Sequence, residues 1–153
     1  MILGVDPGRD KFGWAFAGPA KELLFSGISP VKDRELFWRA VKRLGRDPYA
    51  LDMWALEHPL PMGTRAPLRA VVVGGGTCGG EFVADAEGRQ LGCRVVSVDE
   101  RGTTLEARGL YWSLHRPSWW RRLLPRTLWV PPRPVDDLAA WAIAMRGMDE
   151  MAL

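Results

Sequence analysis

Residues 3–16 read LGVDPGRDKFGWAF. A short apolar run ends in Asp6, a Pro-Gly turn carrying Arg9 and Lys11 follows, and the chain turns apolar again. Apolar runs on either side of such a turn predict a β-hairpin, with residues 1–6 paired against 11–18. Asp6 then ends a strand that ought to be buried. A carboxylate in that position costs free energy unless it starts the turn, finds a partner or does chemistry.

Working outward, KELLFSGISP (21–30) predicts a third strand. In 31–45 the apolar positions Val31, Leu36, Phe37, Ala40, Val41 and Leu44 recur at helical spacing, and Gly45 closes the helix. ALDMWALEHP (50–59) reads as a strand running into Glu57, and residues 59–67 as loop. CRVVSVDE (93–100) is a β-branched strand ending in Asp99 and Glu100. Residues 103–115 predict a helix with Thr103 as cap and Glu106 three positions on, the pattern of a capping box. Residues 115–134 are irregular, basic and aromatic, and 136–148 form a last helix. Adjacent early strands predict an antiparallel meander, and later alternation of helix and strand predicts parallel pairing. The expected fold is α/β, with a mixed five-stranded sheet covered by helices on both faces.

At 153 residues the chain is expected to be one domain with a substantial core. No apolar stretch approaches the ~18 residues of a membrane span. An acid at position 6 stands where a signal peptide has its apolar region, and Cys78 and Cys93 lack metal-ligand spacing, so a reduced, cytoplasmic protein is expected. Net charge is only +3, but 17 of the 21 basic residues are Arg, and there are eight Trp. Arg pairs with phosphate in a fork and Trp stacks on bases, which suits a nucleic-acid partner; a high-GC genome would produce the same bias.

Acids stand at the ends of three predicted strands (Asp6, Glu57, Asp99 with Glu100), and Asp136 and Asp137 open the last helix. Singly, each reads as a turn residue, a solvated side chain or a helix cap. Together, on the rim where strand ends gather in a layered α/β fold, they would repel one another unless a cation intervened. Oxygen-only ligands suit Mg²⁺ or Mn²⁺, and two such ions about 4 Å apart can clamp a phosphodiester displacement. The last helix is apolar all round and so predicted to be buried. Asp136 lies above the small face of Ala139, Ala140 and Ile143, while Asp137 points about 100° away. Asp136 is therefore the expected ligand and Asp137 the cap or solvent residue.

Four blocks, GVDPGRDKFGWAF, ALEHPLPMGT, VVSVDERGTTLEA and VDDLAAWAIA, resemble the RuvC/YqgF-type nucleases of the RNase H-like superfamily. The resemblance implies an RNase H-like fold and a metal-dependent endonuclease. It implies Asp6, Asp136 and either Glu57 (RuvC-like) or Glu100 (YqgF-like) as catalytic metal ligands, with Asp6 bridging two ions. The substrate would be four-way DNA junctions for one branch and precursor ribosomal RNA for the other. Two coordinated nicks at a junction would call for a homodimer. A non-catalytic nucleic-acid-binding module is the alternative from another class.

Residues 69–82, RAVVVGGGTCGGEF, place Gly74, Gly76 and Gly79 in G-x-G-x-x-G spacing, which alone would make 70–100 a dinucleotide-binding βαβ unit. The family has a long helix at this point, so residues 66–91 are expected to be one helix, with the glycines as its weakest part. For gripping substrate the candidates are Arg9 and Lys11 in the first turn, Arg65 in the loop after Glu57, and Arg116, Arg121 and Arg122 around Trp119 and Trp120. That aromatic patch reads equally as packing against the core or a second chain. His58 and His115 are candidates for proton transfer, although His58 should face away from Glu57 along a strand.

Overall fold

A computed structural model describes residues 1–58 and 67–151. The hairpin forms as predicted: β1 (Ile2–Asp6) and β2 (Lys11–Ala17) run antiparallel, with Asp6 opposite Gly13. β3 (Leu23–Pro30) extends the meander on β2. α1 (Arg34–Arg43) follows, then the short β4 (Ala55–Glu57), β5 (Ala70–Gly74), α2 (Gly79–Gly88), β6 (Arg94–Val98), α3 (Thr103–Leu114) and α4 (Asp136–Glu150). The sheet is mixed, in the order β4-β3-β2-β1-β5-β6, with β1–β5 and β5–β6 parallel. Among the described residues no helix is long and apolar enough to cross a membrane.

Three expectations are corrected. The sheet has six strands rather than five. Residues 66–91 are not one helix: Ala70–Gly74 is a strand, and α2 begins at Gly79. All five residues of β5 are buried, because a strand with parallel neighbours on both sides and helices on both faces shows no polar alternation. Such an apolar run is indistinguishable by periodicity from a buried helix. The strand ending at Glu57 is not an inner parallel strand either. β4 has only three residues and pairs antiparallel with β3 at the edge of the sheet.

Helices cover both faces. On one, α1 and α2 bring Phe37, Trp38, Val41 and Phe82 onto Leu3, Val5, Phe12, Trp14, Phe16 and Val71. Trp38 turns inward on α1, whereas Leu36, expected inside, is half exposed. On the other face α3 and α4 pack on Ile2, Ala15, Val72 and Val98. α4 is buried along most of its length, as its composition predicts. It lies unusually close to the sheet: a Cβ on Gly4 would stand 2.0 Å from the Ala140 carbonyl oxygen, and one on Gly13 would stand 1.9 Å from that of Asp136. These contacts are backbone to backbone, so no side-chain adjustment could admit a methyl group. Glycine at 13 thus brings the first turn of α4 onto the residue paired with Asp6.

Candidate metal centre

The centre is built from three strand and helix ends. Asp6 closes β1, and Asp136 opens α4 directly above its neighbour Gly13. Together with Thr104, Val135 and Ala139 the two acids line a cleft of about 150 Å³. The Asp6 carboxyl is pushed up to about 7 from 3.8, chiefly by burial, then by the carboxylates of Asp136 and Glu100, with Lys11 offsetting part of the effect. Lys11 donates to Asp136 Oδ2 at 2.9 Å, with both side chains partly in solvent.

Glu100 reaches this rim from the turn after β6. The turn is fixed from several sides: Thr103 Oγ1 donates to the Glu100 carbonyl at 2.7 Å, and Arg146 of α4 donates to the carbonyls of Asp99 and Arg101 at 2.8 Å. Asp99 points outward and accepts from the Arg101 backbone and guanidinium, bonds that hold its carboxyl below the usual range. Gly74 and Gly76 leave room for the inward acid. A Cβ at 74 would lie 2.7 Å from Glu100 Oε2 and 3.3 Å from the Pro7 ring; one at 76 would lie 2.1 Å from Oε1. The glycines that resemble a phosphate cradle therefore surround a carboxylate, which repels the anion such a cradle would hold. The predicted cap is also corrected. Gly102, in the left-handed region at φ 83°, caps α3, while Glu106 bonds Arg146 instead of closing a capping box.

Glu57 lies in a separate network. Arg133 Nη2 donates to Glu57 Oε1 at 2.7 Å, and Arg133 Nη1 donates to Asp137 Oδ1 at 2.8 Å. His115 Nε2 lies 2.7 Å from the same Glu57 oxygen. Burial alone would raise the Glu57 carboxyl; hydrogen bonds from Arg133 and His115 outweigh it and hold the group below its ordinary range. Asp137 is neither a cap nor a solvent residue: it is fully buried and accepts from Ser26 Oγ at 2.7 Å. Its side chain turns under the helix because Ser26 and Arg133 supply donors there. His58 stacks its ring parallel to Phe25 and stands apart from this network. Sequence reasoning missed Arg133 and Arg146. Arg133 reaches Glu57 across 76 residues and Arg146 reaches Glu106 across 40, which no local pattern reveals; the i,i+4 spacing of Arg133 and Asp137 was the one local signal.

Of the predicted contact residues, Arg9, Arg116, Arg122 and Trp119 are exposed, Lys11 is tied to Asp136, and Arg65 lies outside the described residues. Trp120 is half exposed, and the Arg121 guanidinium sits over its ring and over that of Trp112. Among the described residues no three Asp, Glu, His or Cys side chains are gathered closely enough to hold one ion. The donor set nevertheless fits a hard cation. It consists of carboxylate oxygens alone, two of them raising the third, and Glu100 Oε2 is buried without a hydrogen-bond partner among the described residues. No family model matches this chain, and no curated protein sequence does.

Proposed function

We propose that this chain is a divalent-metal-dependent endonuclease with an RNase H-like sheet, acting on structured nucleic acid. The fold reading is supported by the sheet itself: apart from the edge strand β4, it is an antiparallel meander followed by two parallel strands beyond β1. The observation that carries the function is the convergence of Asp6 and Asp136 in one cleft with Glu100 beside them, where the partly buried Asp6 carboxyl is pushed up to about 7. Asp6, Glu100 and Asp136 would hold Mg²⁺ or Mn²⁺, which when bound supplies Lewis-acid polarisation of a phosphodiester and a more acidic water. Asp6, which feels both of the other carboxylates, would be the ligand that gains most from the cation's charge. Lys11, released from Asp136, would then turn to a phosphate of the substrate, with Arg9 beside it on the same turn. The Glu57 network keeps its carboxylate occupied by Arg133 and His115, so it serves the fold and not the ion.

Two other readings have observations behind them. Glu100, rather than Glu57, next to Asp6 is the arrangement expected of the YqgF-like branch, which favours precursor ribosomal RNA as substrate. The Lys11–Asp136 ion pair would suit a non-catalytic binding module. Purified protein with Mn²⁺ on junction DNA, single strands and ribosomal precursor RNA separates all three. Asp6→Asn is expected to abolish cleavage and to leave binding largely intact. Full activity in that variant overturns the mechanism, and an inert wild type on every substrate favours the binding module.

A further inference from the structure

Between Glu106 and Asp136 the chain carries six Arg and no Asp or Glu. Part of this stretch is folded into a defined shape. Trp112 Nε1 donates to the Trp129 carbonyl at 3.1 Å, and Trp129 Nε1 donates to the Leu124 carbonyl at 3.2 Å. Arg121 stacks on Trp112 and Trp120, with its Cζ 5.3 and 5.1 Å from the ring centroids. The anchored rings hold the segment, and Trp119 is left 76% exposed on it. The end of the segment is pinned as well: Arg133 is bonded to Asp137, next to the proposed ligand Asp136.

We infer that residues 116–126 form a stacking platform for an unpaired nucleic-acid strand, with a base on Trp119 and phosphates on Arg116, Arg122 and Arg126. This rests on the nucleic-acid reading above and adds which form of strand the chain holds. A large exposed indole costs solvation free energy, and a nucleobase covers it on a flat face without matching its edge. Charge selects the occupant. A second copy of the chain would bring arginines against their own kind across a two-fold axis, whereas a polyanion complements every one of them. A duplex hides its base faces, so only an unpaired or splayed strand can use Trp119.

The test is fluorescence anisotropy in EDTA, so that no cleavage intrudes. The probes are a labelled oligothymidylate of about 15 nucleotides and a blunt duplex of equal length. Trp119→Ala should weaken the single strand about ten-fold or more and the duplex less than about two-fold, while Trp119→Phe keeps most of the affinity. Arg122→Gln should weaken both probes alike and lower the salt dependence. Equal losses on both probes for Trp119→Ala, or none, overturn the platform. So does a wild type that sediments as a dimer and becomes monomeric in Trp119→Ala, which would make the patch a self-association surface. A wild type that cuts branched DNA while Trp119→Ala binds single strands normally sinks the platform and leaves the nuclease. A wild type that never cuts, yet shows the Trp119-dependent grip, does the reverse.

Discussion

Replacing Asp6 by Asn should stabilise the metal-free protein, and by an amount that depends on pH. The Asp6 carboxyl titrates at about 7 in the folded chain against 3.8 for the ordinary group. Below about pH 4 both folded and unfolded chains hold the proton, and the site contributes nothing to the pH dependence. Between the two values the folded chain still binds a proton that the unfolded chain has released. Stability therefore falls as pH rises, by about 1.4 kcal/mol per pH unit, and the loss is complete above about pH 7. Raising the carboxyl from 3.8 to about 7 corresponds to about 4 kcal/mol. Asn has the same shape without the charge, so Asp6→Asn removes that loss. Thermal melts in EDTA should show the variant roughly 8–16 °C above wild type at pH 8, at 2–4 °C per kcal/mol for a chain of this size, and nearly level with it at pH 4. Adding Mn²⁺ at pH 8 should raise the wild type and narrow the gap, because a ligand for the folded state at 100 times its Kd adds about 2.7 kcal/mol. Melting curves of the two proteins that coincide at every pH would refute the claim that Asp6 is held against its charge.

Glu100→Gln should abolish cleavage, whereas Glu57→Gln should retain most of it and lower stability instead; a urea titration beside a cleavage assay reads both. Arg133→Ala should destabilise by about 3–5 kcal/mol in urea, since it leaves Asp137 buried with only Ser26 as donor. Gly76→Ala would drive a methyl group into Glu100 Oε1, so cleavage should fall at least ten-fold, by the order of magnitude seen when catalytic groups are misplaced, with little change in melting temperature. Asp137→Asn should lose stability yet keep activity per folded molecule, and an inactive but fully folded variant would show that the roles of the two aspartates have been exchanged.

The hairpin and the last helix were legible because their signals are local. Alternation around a Pro-Gly turn and an all-apolar helical run each point to one structure. Asp136 could be placed from the phase of its helix alone, because the small residues beneath it also mark the face that approaches Gly4 and Gly13. Residues 70–80 were not legible. The run Ala-Val-Val-Val fits strand or buried helix, and the glycines answer to Glu100, a residue that arrives from β6 and not from their own neighbourhood. The direction of Asp137 was hidden for the same reason: Ser26, 111 residues away, draws it inward. Glu57 was misplaced through its strand. Three residues pairing at a sheet edge look in sequence like the end of a longer inner strand.

The two acidic groups of this protein differ in what neutralises them, and that difference separates structure from chemistry. Glu57 and Asp137 share Arg133, with Ser26 and His115 completing their hydrogen bonds; every donor they need is supplied by the chain. Such a group has no use for an outside cation, and admitting one would mean displacing a guanidinium bonded to both acids. Among the described residues, Asp6, Glu100 and Asp136 have a single ion-pair partner, Lys11, which lies partly in solvent and bonds Asp136. The remaining charge appears as the raised Asp6 carboxyl and the orphaned Glu100 oxygen. A fold that needed these acids only for stability would gain by replacing Asp6 with an amide. The glycines at 13, 74 and 76, each spared a side chain so that an acid or its backbone can come close, work against that simpler solution. Close packing brings these like charges together, and among the described residues only Lys11 offsets the cost.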